Sequence, residues 1–194
     1  MIAFKFTKTD GAEYISHLDL LRHISRILKR AGAKIKTSEG YIPHYRIFMS
    51  NPLGLGIRSV AEYCAVDCEL ENFKEAFNAN SPTGIKCLEY YYTDTPPNFA
   101  NNITECTYTA ECEPFDVERV LKSESIPYKD KRGREIDIRA RICTLSYSNG
   151  VLNFTLKSGR DNLRPDLFLE YLKETFGLNC ENLLKVGANV KKEL

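Results

Sequence analysis

One stretch decides the fold, residues 14–56, which reads YISHLDLLRHISRILKRAGAKIKTSEGYIPHYRIFMSNPLGLG. From residue 16 its apolar positions recur every three or four residues, which is the period of an amphipathic helix. The side chains on that face are Leu20, Leu21, Ile24, Ile27, Leu28 and Ala31. Ser16 or Asp19 can cap the start, and Gly32 is a natural stop. The stretch therefore predicts a helix with one buried side.

The other side of this predicted helix is cationic. It carries Arg22, Arg26, Lys29 and Arg30, and Lys34 and Lys36 follow soon after. Residues 1–50 hold nine Lys or Arg against four Asp or Glu, whereas residues 51–115 hold three against ten. Although the net charge is only +1, residues 1–50 are basic and residues 51–115 are acidic. Such segregation suits an anionic ligand on one surface, although it is also common as a solubility pattern without any partner.

The order of predicted elements defines the fold class. Residues 1–94 show the order β-α-β-β-α-β, with strands over 1–7, 59–71 and 85–93, one strand interrupted between 34–37 and 45–49, and helices over 16–31 and 72–80. A polar, proline-rich segment then marks a linker over 95–102, and the plan recurs over 103–194. The sequence predicts an α+β protein with two ferredoxin-like (βαββαβ) halves in tandem, antiparallel sheets and helices on one face.

The second half contains its own turn and helix signals. They predict strands over 103–113 and 135–146, a helix from Asp116 through Leu121, a polar turn over 129–133 and a helix over 163–176. Asn149-Gly150 predicts a tight hairpin turn. The residues from 179 onward are expected to form a loosely held tail.

The histidines suggest where chemistry could occur. His17 and Asp19 lie at the start of the predicted helix, and Glu39 and His44 lie in the interrupted strand pair that follows it. Histidine with a carboxylate is the usual set for general acid–base catalysis. These four residues are the candidate catalytic groups if the fold brings His17 and His44 to one edge. The alternative is that His17 and Asp19 cap the helix and His44 packs under a turn.

Glycines and further cations suggest a site for an anion. Gly54 and Gly56 permit close backbone approach, which suits a loop that cradles an anion, although ordinary turn geometry also accounts for them. No nucleotide-binding glycine motif is present. Arg46 in the first half, and Arg139 and Arg164 in the second, could bind phosphates. A solvated edge strand protected by its charges is the alternative for the second half.

The cysteines carry no metal motif. There are seven, and none has the Cys-x-x-Cys or Cys/His spacing of a zinc site, so neither a metal nor a cofactor is predicted. No stretch approaches the roughly 20 apolar residues of a membrane span. An odd number of cysteines, mostly in strand patterns, is typical of a reduced cytoplasmic protein.

Several of these motifs occur in the same order in one family. They are SHLDLLR at 16–22, SEGYIPH at 38–44, PLGLG at 52–56, DIR at 137–139 and LRPD at 163–166. Together they resemble the radical-SAM-linked family of uncharacterised proteins, whose members are C-terminal extensions of radical SAM proteins or separate chains encoded beside one. This chain resembles the separate form. RSVAE at 58–62 departs from the family pattern, so no role is assigned to Glu62.

The resemblance implies an accessory protein, with a radical SAM enzyme as partner and, by association, a tRNA or rRNA as substrate. We therefore expect RNA or another anionic substrate to bind a basic helix and a pocket lined by His, Glu and Gly, without activity of the protein on its own. If six cations of the first half contact phosphates, the log–log salt slope is about −4 to −5. Two alternatives are a metal-independent RNA-processing endonuclease that uses His17 or His44, and a protein-docking module that uses the acidic residues 62–113.

Overall fold

The computed structural model describes residues 1–129 and 135–190. It divides into two compact units, Met1–Asn102 and Ile103–Leu194. Both combine antiparallel strands with a few helices, so the predicted α+β class is confirmed, whereas the finer plan of two ferredoxin-like halves stays a prediction. Most of the predicted polar turn (130–133) and the last four residues (191–194) lie outside the described residues.

The sheet of the first unit is centred on its first strand. The strands of this unit are β1 (Ile2–Lys8), β2 (Lys34–Ile35), β3 (Ile47–Met49), β4 (Arg58–Val66), β5 (Cys68–Glu69) and β6 (Cys87–Tyr92). β1 pairs antiparallel with β4 and β6, and β3 pairs with β4. β2 and β5 form a separate two-stranded ladder. The strand predicted over 59–71 is therefore interrupted at Asp67, between β4 and β5.

The helices of the first unit are α1 (His17–Arg30), α2 (Phe73–Ala79) and α3 (Phe99–Asn102), and a 3₁₀ turn, Ala12–Tyr14, precedes α1. Ser16 caps α1 as predicted, because its hydroxyl accepts the backbone N–H of Asp19 at 3.2 Å. Gly32, with φ of 83°, follows the last turn. Leu21 and Ala31, expected on the buried side, are only half-buried.

The core of the first unit lies between β1 and the helices α1 and α2. Phe4 of β1 places its ring 5.1 Å from Phe73 and 5.2 Å from Phe77, both in α2. Ile24 and Ile27 of α1 are fully buried in the same apolar cluster. Both helices therefore cover one face of β1, the face to which alternate residues from Ile2 onward point. The predicted linker over 95–102 contains α3, whose Phe99 is buried 5.9 Å from the Tyr63 ring.

The second unit has four long strands. Its elements are β7 (Ile103–Cys112), α4 (Glu118–Leu121), β8 (Pro127–Lys129), β9 (Glu135–Asp137), β10 (Ile142–Ser148), β11 (Val151–Lys157), α5 (Pro165–Phe176) and β12 (Cys180–Val190). β7 pairs with β11 on one side and β12 on the other, and β10 pairs with β11. The β10–β11 hairpin turns at Asn149 and Gly150, both with positive φ, as predicted.

Two expectations for the second unit are wrong. The strand predicted over 135–146 is broken by the 3₁₀ turn Arg139–Arg141, which separates β9 from β10. The tail expected to be loose from 179 forms β12 up to Val190, because alternate backbone groups of this segment bond to β7. The seven cysteines are free; four of them are buried and three are half-buried. No helix among residues 1–129 and 135–190 is long and apolar enough to cross a membrane.

Candidate functional site

The exposed face of α1 carries a row of side chains spaced by helical turns. Leu18, Arg22 and Arg26 follow one another at intervals of four residues, and Lys29 and Arg30 continue the row to the end of the helix. All five side chains are exposed. Residues three or four apart lie on one side of a helix, and the row is about 18 Å long at 1.5 Å per residue.

The first cation of this row is neutralised by the chain. Arg22 forms an ion pair with Asp19, with 2.9 Å between the guanidinium Nη1 and the carboxylate Oδ1. Asp19 also accepts a hydrogen bond from the Ser16 hydroxyl at 2.7 Å. These two contacts, the Ser16 bond first, lower the pKa of Asp19. Asp19 is therefore committed to the start of the helix, which is the structural alternative that the sequence left open for it.

The other three cations keep their charge. Arg30 donates to the carbonyl oxygen of Asn80 at 2.8 Å, which satisfies a donor without neutralising the guanidinium. Lys29 places its ammonium 4.7 Å from the centre of the Tyr45 ring. Within the described part of the chain, no carboxylate oxygen lies within 4.0 Å of the cationic nitrogens of Arg26, Lys29 or Arg30. We call these three residues the cationic triplet.

Two more of the expected anion-binding cations hold the chain together. Lys36 and Arg46 bind the two carboxylate oxygens of the buried Asp67, at 3.4 Å and 3.0 Å. Asp67 lies between the end of β4 and the start of β5. The two ion pairs therefore bind the loop between β2 and β3 to this interruption. Lys34 is exposed in β2, where it is paired in register with Glu69 of β5.

The expected cations of the second unit also serve its fold. Arg139 lies in a 3₁₀ turn, not on a strand face as the sequence suggested. Its guanidinium donates to the carbonyl oxygens of Leu121 at 2.9 Å and Ser123 at 3.1 Å, and more weakly to that of Ile142 at 3.4 Å. Arg164 forms an ion pair with Asp166.

The histidines have different surroundings. His44 lies in the exposed loop between β2 and β3, where its backbone N–H and C=O both bond to Ser38. Glu39 is exposed in the same loop. His17 is half-buried at the start of α1, and the charged groups that act on it are Glu62 and Lys8. The carboxylate that acts on His17 is thus Glu62, and not Asp19 or Glu39.

Buried polar residues act electrostatically on the half-buried His17 or interact with one another, and together with His17 we call them the His17 cluster. Its members are Lys8, Glu13, His17, Ser59 and Glu62. Lys8 is 2% exposed and Glu62 is 3% exposed. Glu62 is paired with Phe6 across β1 and β4, and directly paired residues point to the same face, so Glu62 lies on the helix-covered face of the sheet. A bulge between Phe6 and Lys8 places Lys8 opposite Ser59.

Hydrogen bonds hold the carboxylates of the cluster. The Ser59 hydroxyl donates to Glu62 Oε1 at 2.8 Å and accepts the N–H of Ala61 at 3.0 Å. Glu13 Oε2 accepts the N–H of Gly11 at 2.7 Å. Because a buried polar group needs bonded partners, these contacts satisfy acceptor atoms of both side chains in the core.

Burial dominates the ionisation of the two basic groups. It lowers the pKa of Lys8, although Glu62 and then Glu13 act in the opposite direction. Burial also lowers the pKa of His17 below its ordinary 6.5; Glu62 opposes this shift and Lys8 adds to it. His17 is therefore neutral at pH 7, with one ring nitrogen as a donor and the other as an acceptor.

Three large apolar side chains are exposed near the start of α1, two of them close to His17 in the chain and one on the loop that bonds to Glu13. Tyr14 is 73% exposed, Leu18 is 68% exposed and Leu55 is 66% exposed. The N–H of Gly56 donates to the carbonyl oxygen of Glu13 at 3.0 Å, which holds the loop of Leu55 beside Tyr14. A Cβ on Gly56 would lie 3.7 Å from Tyr14 Cε1, so the ring lies against this glycine. We call Tyr14, Leu18 and Leu55 the apolar shelf.

The two glycines of this loop have structural roles. Gly56 has φ of 79°, a conformation that side chains rarely adopt, and its N–H is already bonded to Glu13. A Cβ on Gly54 would come within 3.1 Å of Ile57 Cδ1. Close packing and turn geometry thus explain the Gly54 and Gly56 pattern, which the sequence also allowed as an anion cradle.

A family model matches residues 2–165 of this chain, and its description is "Uncharacterized protein conserved in bacteria (DUF2344)". The chain belongs to this family. The matched residues of the DUF2344 chain include α1, the His17 cluster and the apolar shelf. A comparison with curated proteins gives no match.

Sequence reasoning missed Lys8, Glu13, Ser59 and Glu62 of the DUF2344 chain, although a signal exists for two of them. Lys8 continues the period-two pattern of Ile2, Phe4 and Phe6 that points into the core. Glu62 takes the inward position of the same alternation in β4. A charged residue at an inward strand position predicts a buried partner. No comparable pattern marks Glu13 or Ser59.

Proposed function

We propose that this protein binds RNA, such as a tRNA or an rRNA, through the exposed face of α1, as an accessory module without activity on its own. The observation that carries the proposal is the cationic triplet of Arg26, Lys29 and Arg30. These cations are exposed, adjacent and not neutralised by a carboxylate in the described part of the chain. Contacts between such cations and phosphates contribute much of the affinity, because each phosphate that is neutralised releases counterions from the nucleic acid.

The aromatic ring beside the triplet favours RNA over a small anion. Tyr45 lies under the Lys29 ammonium and is itself exposed. Proteins that bind single-stranded nucleic acid combine a row of cations with aromatic rings on which bases stack. A single phosphate would occupy only part of a row about 18 Å long. The row therefore suits a polymer of phosphates with unstacked bases.

The structure lowers the expected salt dependence. Asp19 and Asp67 neutralise part of the six-cation set that the sequence suggested. Three phosphate contacts by the triplet give a log–log slope of about −2 for a single strand. The affinity should then fall roughly twentyfold between 50 and 200 mM salt.

Fluorescence anisotropy with a labelled single-stranded RNA at several salt concentrations tests the proposal. The triple variant Arg26→Ala, Lys29→Ala and Arg30→Ala should lose nearly all of the salt slope. A matched control removes three exposed cations of the second unit (Lys122→Ala, Arg160→Ala and Lys173→Ala) and should keep the slope. Absence of binding by the natural protein, or the same loss in both triple variants, would overturn the proposal.

A radical SAM enzyme is the proposed partner, and the motifs at 16–22 and 38–44 support it through their resemblance to the radical-SAM-linked family. We expect the two proteins to co-purify from an extract treated with nuclease. Loss of the partner after nuclease treatment would mean that RNA alone joins them. Complete absence of the partner would exclude the association under those conditions.

The endonuclease alternative now depends on His17, since a buried carboxylate, Glu62, acts on its ionisation. RNA incubated with the purified protein should stay intact under the proposed accessory role. Cleavage that disappears in a His17→Ala variant would replace this role with a catalytic one.

We also propose the ferredoxin-like plan for each half. The strand order β6-β1-β4-β3 in the first unit and β12-β7-β11-β10 in the second supports it. In each unit a helix follows the first of these strands in the chain, and another precedes the last.

A further inference from the structure

We propose that the apolar shelf of Tyr14, Leu18 and Leu55 holds one unstacked nucleobase of the bound RNA, with His17 contacting the polar edge of that base. This inference rests on the proposed function, because the base arrives on a strand whose phosphates bind the cationic triplet. It assigns a ligand class, a purine or pyrimidine ring, to a surface that the phosphate contacts do not explain.

The shelf continues the cationic row. Leu18 is the first member of the row on α1, and Arg22 and Arg26 follow it at intervals of one turn. Leu18 and Arg26 are separated by eight residues, or about 12 Å along the helix axis. A strand that lies along the row with its phosphates on the triplet therefore extends towards the shelf.

The shelf has a rigid base. The hydrogen bond from Gly56 to the Glu13 carbonyl fixes the loop that presents Leu55. The Tyr14 ring lies against Gly56, where a Cβ would be in ordinary van der Waals contact with the ring and where φ of 79° favours glycine. One aromatic and two aliphatic side chains are thus held at the surface without covering one another. Bases stack on such exposed rings independently of their sequence, since every base has a π-face.

His17 adds a polar group beside this apolar surface. It is half-buried, and Glu62 and Lys8 act on it from the core side. Glu62 is itself held by the Ser59 hydroxyl. A neutral imidazole offers one donor and one acceptor, which matches the mixed edges of nucleobases. His17 is therefore the group that would distinguish one base from another.

A protein partner is the other occupant to consider for exposed apolar side chains. The cations that follow Leu18 along α1 favour the nucleobase, because they place phosphate-binding groups on the same helix face as Leu18. The docking alternative becomes one outcome of the test.

The experiment compares the binding of fluorescein-labelled oligo(A), oligo(C) and oligo(U) by the natural protein and by single variants. Tyr14→Ala should weaken binding roughly ten- to hundredfold without a change in salt slope, and Tyr14→Phe should retain the affinity. Tyr41→Ala is the matched control, since Tyr41 is a fully exposed tyrosine outside the shelf. His17→Ala should reduce the differences in affinity among the three oligomers.

The outcomes separate the two proposals. If the natural protein binds none of the oligomers or tRNA, the proposed function fails. If the triplet variant loses its salt slope while Tyr14→Ala and Leu55→Ala bind as the natural protein does, RNA binding stands and the shelf proposal is overturned. In that case a protein partner becomes the expected ligand of the shelf. Circular dichroism melting of each variant confirms that the compared proteins are folded.

Discussion

The outer face of α1 and the second unit use positive charge in opposite ways. Arg26, Lys29 and Arg30 are exposed and keep their charge. Arg139 instead donates to three backbone carbonyl oxygens, and Lys157 binds Glu105 at 2.6 Å. The contrast teaches that a cluster of cations indicates a ligand surface only where the fold neither pairs those cations with carboxylates nor occupies most of their hydrogen-bond donors.

The same contrast holds between two lysines. Burial lowers the pKa of Lys8, whereas the hydrogen bond to Glu105, with a smaller contribution from Cys143, raises the pKa of Lys157. The side chain of Lys157 is also 40% exposed, so water stabilises its charge. Burial determines the direction of the pKa shift of Lys8, and the bonded carboxylate determines that of Lys157, although carboxylates act on both lysines.

The largest expected effect concerns this pair of lysines. Lys8→Met removes a buried cation that acts on Glu62 and Glu13, and it should lower the free energy of unfolding by about 3 kcal/mol. Lys157→Met removes a partner from a solvated pair and should cost much less. Urea denaturation of both variants measures the difference. Equal losses would mean that the Lys8 charge is not buried as described.

The next effect separates folding from binding. Arg139→Ala removes hydrogen bonds to three carbonyl oxygens and should lower the free energy of unfolding by about 2 kcal/mol, with the RNA affinity unchanged. Arg26→Ala should do the reverse, with a stability change within about 0.5 kcal/mol and weaker RNA binding. Weaker RNA binding by a folded Arg139→Ala variant would contradict the distinction between a folding role for Arg139 and a binding role for Arg26.

A pH dependence should follow from His17. Because its pKa is lower in the folded protein than the 6.5 of the unfolded chain, unfolding takes up a proton below that pH. The free energy of unfolding should therefore fall as the pH drops through about 6.5, and this part of the dependence should be absent in His17→Gln. Urea titrations at pH 7.5, 6.5 and 5.5 measure it. A His44→Gln control should behave as the natural protein does, and an unchanged profile in His17→Gln would contradict the prediction.

The smallest effect is a gain of binding. Asp19→Asn removes the carboxylate that neutralises Arg22, so a fourth cation joins the triplet. The salt slope for single-stranded RNA should become steeper by about 0.7. Anisotropy titrations against the natural protein measure this change. A slope that stays the same would show that the RNA does not reach the first turns of α1.

The parts that sequence predicted are those specified by neighbouring residues. α1 follows from its apolar period, the Ser16 cap and the Gly32 stop, all within 17 residues of chain. The β10–β11 hairpin follows from Asn149 and Gly150, which tolerate positive φ. The cationic face of α1 was predictable for the same reason, since it is the remainder of an amphipathic period.

The features that could not be predicted from sequence depend on contacts between residues that are far apart in the chain. Lys8 and Ser59 meet because β1 pairs with β4 in one register and a bulge shifts that register by one residue. The neutralisation of Arg46 by Asp67 likewise needs the folded loop. The strand β12 was mistaken for a tail because its sequence alternates weakly, and its pairing with β7 supplies the order.

A direct measurement of the central claim is a titration of the ¹⁵N-labelled protein with a short single-stranded RNA, followed by amide chemical shifts. Binding to the cationic triplet predicts shift changes concentrated in His17–Arg30 and at Tyr45, with amides of the second unit unaffected. Changes confined to the second unit, or none at RNA concentrations well above the expected dissociation constant, would contradict it.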